Sequence, residues 1–246
     1  MRTQRIAWLG ADEPPDAFPD IDAALADPPG LLAVGGDLST SRLLYAYRHG
    51  IFPWYDEGQA ILWWSPDPRC VLEPGEFHVS RRLARSLRVS GFQISFNHCF
   101  SRVIGECAAP RRHQRGTWIT AGMRAAYEAL HGLGWAHSIE VWHEEQLVGG
   151  LYGIGMGNVF FGESMFSRTA GASKAAMLAL CRELIARGGG LLDCQVVSPH
   201  LLTLGAKPIP RTEFRALLDR NCGTGKPVTG WPEGRRRCAA GLDPAQ

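Results

Sequence analysis

The sequence predicts an α+β fold: a small N-terminal domain followed by a larger one whose largely antiparallel sheet is flanked by helices. Three observations carry this. The strand-like runs 136–143, 147–156 and 158–167 are separated only by Glu144-Glu145-Gln146 and by Gly157-Asn158, the pattern of an antiparallel meander. Helical stretches precede the meander, and one helix and one further strand follow it, an order that suggests an acyltransferase-like sheet with helices on its faces. The 246 residues are 45% apolar and 20% charged, in the range of globular proteins and long enough to bury a core without staples.

Taken in order, residues 11–30 are rich in Pro and Asp and read as loops with one short helix. The turn over 35–39 leads into a helix at 40–49, with Leu43, Leu44 and Tyr47 on one face and Gly50 as its stop. The segment 50–69 is dense in aromatics, and Pro66 and Pro68 mark a domain junction near 60–70. Ser80 opens a helix over 80–89 with Leu83 and Leu87 as its apolar stripe. Phe100, Val103, Ile104 and Cys107 space a helix over 97–108, and Thr120 caps one over 121–131 after the basic loop at 110–116. Ser173 opens a helix that ends at Gly188-Gly189-Gly190. A strand at 190–197 and helices near 199–204 and 212–220 complete the ordered part. Domains are therefore expected at 1–64 and 65–220, with 221–246 a mobile tail. No internal repeat is present.

Net charge is +2, but residues 1–64 carry −5 and residues 65–246 carry +7. Of the 26 basic residues 23 are Arg, whose planar fork suits phosphate. Seven scattered cysteines without a C-x-x-C pair argue against a disulfide framework and a structural zinc site. The N-terminus lacks the apolar run of a signal peptide, and no stretch approaches the ~18 apolar residues of a membrane span. A reduced, cytoplasmic protein with no membrane partner is expected.

Four groups of residues are candidates for chemistry. On the strand 190–197, Leu192, Cys194 and Val196 share one face, and Leu191, Asp193, Gln195 and Val197 the other. An Asp and a Gln two apart on an apolar strand mark either a site or a solvated edge, because burying them unpaired is costly. Glu163 falls on the face of Val159, Phe161 and Met165, which makes it a site candidate with a perturbed pKa unless a bulge at Gly162 turns it outward. Trp54, Trp63, Trp64 and Trp118 either stack a nucleobase or fill a domain interface. Arg81, Arg82, Arg85 and Arg88 come with no acid among them and are either a phosphate-binding stripe or a solvated face. Cys194 is a weaker candidate, a nucleophile on a presumed core face without a His partner. The eight dispersed His form no metal site.

The segments GGDLS, GIFPW, WWSPDPR, GTWIT, HSIEVW, LVGGLYG, FGESMFSR, ASK and LLDCQV occur in one order. Together, over residues 28–211, they resemble the leucyl/phenylalanyl-tRNA–protein transferase family of bacteria. The resemblance implies a GNAT-like (acyl-CoA N-acyltransferase-like) C-terminal domain. It also implies transfer of Leu or Phe (and Met) from aminoacyl-tRNA to proteins beginning with Arg or Lys, the product being an N-degron read by a Clp-type adaptor. It makes Asp193 and Gln195 the reaction centre with Glu163 beside them. Tyr47, Trp54, Trp118, Tyr127, Leu151 and Phe160 would line the aminoacyl and adenosine pocket. Arg81, Arg85 and Arg88 would contact the tRNA acceptor arm, with Arg82 added from the helical pattern. The chain departs from the family in its Pro/Asp-rich N-terminus, its basic loop at 110–116 and its Arg-bearing tail.

An aminoacyl ester is already activated, so neither ATP, nor a metal, nor any other cofactor is expected. The Gln195 amide is too weak a base to hold a proton and is cast as an acceptor that orients the attacking amine. Asp193 would polarise Gln195 or receive charge, and Glu163 or Asp193 would meet the acceptor's cationic side chain. Two other classes compete. A GNAT-type acetyltransferase needs the pyrophosphate loop R/Q-x-x-G-x-G/A, and Arg168 to Ser173 misses it at the last position. A non-catalytic RNA-binding module needs the Arg stripe but none of Asp193, Gln195 and Glu163.

Overall fold

A computed structural model describes residues 6–110, 117–223 and 226–238. Two sheets organise it. The first holds β1 (Ala7–Leu9), β2 (Leu31–Gly35), β3 (Phe52–Pro53) and β4 (Leu62–Trp64) in the order β1-β2-β4-β3. The second holds β5 (Arg69–Leu72), β6 (Gln93–Phe96), β7 (Ala136–His143), β8 (Gln146–Met156), β9 (Val159–Ser167), β10 (Leu191–Gln195), β11 (Lys207–Ile209) and β12 (Arg236–Arg237). Its order is β11-β5-β10-β9-β8-β7-β6-β12, antiparallel throughout except for the β9–β10 pair. The helices are α1 (Thr40–Arg48), α2 (Arg81–Val89), α3 (Phe100–Ala108), α4 (Ala121–Gly132), α5 (Ala172–Ala186), α6 (Pro199–Leu202) and α7 (Arg211–Asn221). The molecule is thus a mixed α+β structure in which a small N-terminal sheet precedes a large one. No helix among the described residues is long and apolar enough to cross a membrane.

The large sheet buries both faces. On one, β8 and β9 residues such as Tyr152 and Phe161 join Val103 and Ile104 of α3, Met123 and Tyr127 of α4, and Leu43, Tyr47 and Trp63 of the N-terminal part in one core. On the other, Leu83 and Leu87 of α2 and Ala176, Met177 and Leu180 of α5 cover Leu151, Phe160 and Leu192. Close approach explains one glycine of β8. A Cβ on Gly149 would lie 2.5 Å from the Ala172 Cβ at the start of α5.

Several motif residues are explained by the fold. Asp37 accepts from the Ser39 N–H and from Nε of the buried Arg42, whose Nη2 reaches the Gly10 and Glu13 carbonyls. The Glu140 carboxylate is fully buried, accepts from the Ser95 and Ser138 hydroxyls and receives the His98 and Cys99 N–H groups at the start of α3. It satisfies donors that a helix N-terminus otherwise leaves open.

Structure and expectation differ in four places. The short strands β2, β4, β5, β6 and β11 were not predicted. They are runs of three to five residues without sustained alternation, and β5 hides an Arg within a fully buried strand. Helix α5 is opened not by Ser173 but by Gly171, whose φ of 87° no other L-residue adopts cheaply. Strand β10 runs from Leu191 to Gln195 instead of over 190–197. Its register against β5 shifts between Asp193 and Gln195, and Val196 and Val197 lie exposed. The expected mobile tail over 221–246 is corrected for its described part: Pro227 bridges to Met156, β12 pairs with β6, and Cys238 is buried. Apolar anchors explain this, since Trp231 packs on Phe96 and His137 and donates its indole N–H to His137. The basic loop lies, beyond Pro110, outside the described residues.

Candidate active site

The hydrogen-bonded pairing of β9 with β10 runs from Val159–Leu191 to Phe161–Asp193 and stops there. Beyond that point side chains take over, and Gln195 Nε2 donates to Glu163 Oε1 across 2.8 Å. Two cavities meet at this junction. One, of about 210 Å3, is walled by Phe52, Trp54 and Trp118. The other, of about 140 Å3, is walled by Leu151, Met165, Met177, Leu180, Leu192 and Leu201. Glu163, Cys194 and Gln195 line both.

Glu163 reaches the junction through a bulge, in that Tyr152 and Gly153 of β8 pair with Ser164 and Gly162, leaving Glu163 as the extra residue. The bulge does not turn Glu163 outward; it is only 9% exposed. It instead reverses the alternation, so Val159 and Phe161 belong to one core and Met165 packs against the other with Phe160. Tyr127 donates its hydroxyl to Glu163 Oε2 across 2.7 Å, and Tyr127 is in turn hydrogen-bonded to the Tyr47 hydroxyl. Burial outweighs the hydrogen bonds from Tyr127, Tyr47 and Gln195 and pushes the Glu163 carboxyl up to about 7. Burial also raises the Tyr47, Tyr127 and Tyr152 phenols well above their ordinary value, which leaves them neutral.

Gln195 has a φ of 62°, a left-handed conformation uncommon for a side-chain-bearing residue. Its N–H donates to Asp193 Oδ1 across 2.9 Å, a local bond that holds the turn. Because a carboxylate only accepts, the Gln195 amide presents its NH2 to Glu163 and keeps its carbonyl oxygen for another partner. Asp193 itself is closed to solvent. Arg69 grips it with a fork, Nε to Oδ1 at 2.9 Å and Nη2 to Oδ2 at 2.6 Å. The expectation that Asp193 receives charge from a substrate is therefore revised: its charge is already met by a buried guanidinium, and it acts on Gln195 through the backbone.

The remaining expected residues divide. Trp54, Trp118 and Leu151 line the cavities. Tyr47, Tyr127 and Phe160 are fully buried and are not among the residues that line these two cavities. The two tyrosines support Glu163, while Phe160 packs in the core near Trp231. Trp63 is core, donating to the Gly35 carbonyl, and Trp64 donates to the Trp54 carbonyl beside it. Cys194 lines both cavities despite its expected core position, but its contact with the Cys70 thiol and its burial raise its thiol well above the ordinary value. Arg81, Arg82, Arg85 and Arg88 are exposed along α2, on the sheet face that carries the second cavity. Sequence reasoning missed Arg69, Met177 and Tyr152. Among the described residues the buried Tyr152 hydroxyl has no hydrogen-bond partner. Among the described residues no group of three or more His, Cys, Asp or Glu is arranged to hold a metal ion.

Comparison with known proteins gives a consistent result. Residues 71–219 match the family model described as leucyl/phenylalanyl-tRNA protein transferase, and residues 36–67 match the model of its N-terminal domain. The chain is 55% identical over 227 residues to a leucyl/phenylalanyl-tRNA–protein transferase of Chromohalobacter salexigens, covering 92% of this chain and 88% of that one. It is 59% identical over 215 residues to the protein of that name in Pseudomonas aeruginosa strain UCBPP-PA14, covering 87% and 94%. It is 53% identical over 226 residues to the one in Azoarcus sp., covering 92% and 95%.

Proposed function

The chain belongs to the leucyl/phenylalanyl-tRNA–protein transferase family, and from that premise we propose that its two-cavity junction moves an amino acid from aminoacyl-tRNA to the α-amino group of a protein. The observation that carries the reading is the meeting of an aromatic-walled and an aliphatic-walled cavity at Glu163 and Gln195. The first suits the terminal adenosine, whose base stacks between Trp54 and Trp118. The second suits a Leu, Phe or Met side chain. Its two methionines adapt to unbranched and ring shapes, whereas a branch at Cβ would meet the wall near the ester. The scissile carbonyl then lies at the junction.

The reaction forms an amide C–N bond and breaks the ester C–O bond. The amine loses a proton and the ribose oxygen gains one. The Gln195 carbonyl oxygen, left unused by Glu163, orients the amine, and positioning supplies much of the rate. Glu163, its carboxyl pushed up to about 7, meets the acceptor's N-terminal Arg or Lys in its ionised form and then takes up the amine proton as the amide forms. The proton taken up at Glu163 passes on through the neighbouring ribose hydroxyl to the leaving ribose oxygen, so both Glu163 and that hydroxyl end as they began. The ester carries its own activation, so the chemistry calls for no ATP, metal or other cofactor.

The finer assignments belong to the same proposal. An antiparallel meander followed by a helix and a strand parallel to its last member supports a GNAT-like large domain over 65–220, with 1–64 as the small domain. The exposed arginines of α2 support contact with the acceptor arm. The proposed product is an N-degron read by a Clp-type adaptor, made in the cytoplasm.

Purified protein given labelled Leu-tRNA, or separately labelled acetyl-CoA, with a peptide beginning with Arg, citrulline or Ala tests the reading. Transfer from tRNA to the Arg peptide alone is expected. Transfer from acetyl-CoA selects an acetyltransferase instead, binding of tRNA without transfer selects an RNA-binding module, and equal rates with citrulline remove the charge-based acceptor choice.

A further inference from the structure

The segment WWSPDPR ends in a residue that the reaction itself does not use. Arg69 is fully buried at the head of β5. Its guanidinium has four partners. Nε and Nη2 hold both oxygens of Asp193 at 2.9 and 2.6 Å. Nη1 donates to the Gly50 carbonyl across 3.0 Å. Its flat faces lie over Phe52 and Phe214, with centroids 4.8 and 4.6 Å away. Two of these contacts, Asp193 and Phe52, lead to the junction. Phe52 walls the adenosine-sized cavity, and Asp193 Oδ1 accepts the Gln195 N–H while it accepts from Arg69.

We infer that Arg69 is a positioning residue for the transfer reaction: it clamps Asp193 so that Asp193 holds Gln195 in its left-handed backbone conformation, and it ties that turn to the Phe52 wall. The clamp is a matter of geometry. A carboxylate on a strand end has freedom about two torsions, and a bidentate fork removes it. Gln195 sits two residues past the last β9–β10 pair, and its remaining ladder partner, Cys70 of β5, is reached only across the register shift after Asp193, so the Asp193 acceptor and Glu163 help to fix its place. Lysine at 69 keeps the charge but supplies a point donor in place of a planar fork, and it loses the double stacking.

This inference rests on the aminoacyl-transfer reading, and transfer by the unaltered protein is its control; failure of that control sinks the reading, not the clamp. With Leu-tRNA and an Arg-peptide at saturation, Arg69→Met is expected to lower kcat on the order of 100-fold, with each KM within about threefold. Arg69→Lys is expected to recover about tenfold of that loss. In a Gln195→Ala background the same Arg69 changes are expected to have less than about a threefold further effect, because they act through Gln195. If Arg69→Met does not fold, the Arg69→Lys arm of the cycle carries the test. Unchanged kcat, a rise in KM alone, or full additivity with Gln195→Ala would overturn the clamp and leave Arg69 a core ion pair only.

Discussion

Glu163 is a buried carboxyl where the two cavities meet. Its carboxyl is pushed up to about 7 by burial, against an ordinary value of 4.5. Between these values the folded chain holds a proton that the unfolded chain has released, so this group's contribution to stability falls as pH rises from about 4.5 to 7 and stays low above that. The difference amounts to at most about 3 kcal/mol. Glu163→Gln is therefore expected to raise the Tm at pH 8 and to change it little at pH 5, while abolishing the rise in transfer rate near pH 7. The amine's own titration at ~7.7–8.0 stays in the profile. Chemical denaturation at the two pH values checks the first part, and an unchanged difference between variant and parent across that range would contradict it. Asp193, Gln195 and Glu163 were legible as polar groups on apolar strands. Arg69 was not, because its fork reaches a carboxylate 124 residues away in sequence, and single-chain patterning carries no register between β5 and β10. Asp193→Ala strands that buried guanidinium and is expected to destabilise by about 3–5 kcal/mol, measured by urea unfolding.

The elements divide by how local their determinants are. Helix α2 was readable because each signal lies within it: Ser80 Oγ accepts the Leu83 N–H, and Leu83 and Leu87 are its buried stripe. Ser80→Ala is expected to lose about 1 kcal/mol, or about 2–4 °C in Tm, without altering transfer at saturation. Arg85→Ala on its exposed side is expected to flatten the salt dependence of tRNA binding by about one unit of log–log slope, with kcat retained; an unchanged slope would assign α2 to solvent. The bulge in β9 was foreseeable as a position but not as a direction. What draws Glu163 inward is the pair of donors waiting there, Tyr127 from α4 and Gln195 from β10. Such partners are tertiary, and alternation along one strand does not encode them. The same holds for β10, which ends early because Gln195 leaves the extended region to meet Asp193 and Glu163.

Across the whole molecule, the large sheet lets two cores and two cavities communicate at one point. Parallel pairing of β9 and β10 ends at Phe161 and Asp193, and the small N-terminal part brings Phe52 and Trp54 to that opening. The charge contrast of −5 and +7 between residues 1–64 and 65–246 follows the change from the first sheet to the second. Several arginines of the second part are held within the fold, Arg69 by Asp193, Arg168 by Glu106, and Arg235 by Glu145 and the Trp142 ring. A shallow salt slope, reflecting a few phosphates, is the expected outcome. The tail expected over 221–246 rests on Pro, Gly and Arg content without periodicity, whereas the anchors of its described part, Trp231 and Cys238, act singly at a distance. Trp231→Ala is expected to destabilise the chain by about 2 kcal/mol with transfer retained. The most direct test of the account is turnover by Gln195→Ala with saturating Leu-tRNA and Arg-peptide. A loss of kcat on the order of 100-fold, with aminoacyl-tRNA still bound, is expected. Turnover near that of the unaltered protein would contradict the assignment of the reaction to the Glu163–Gln195 junction.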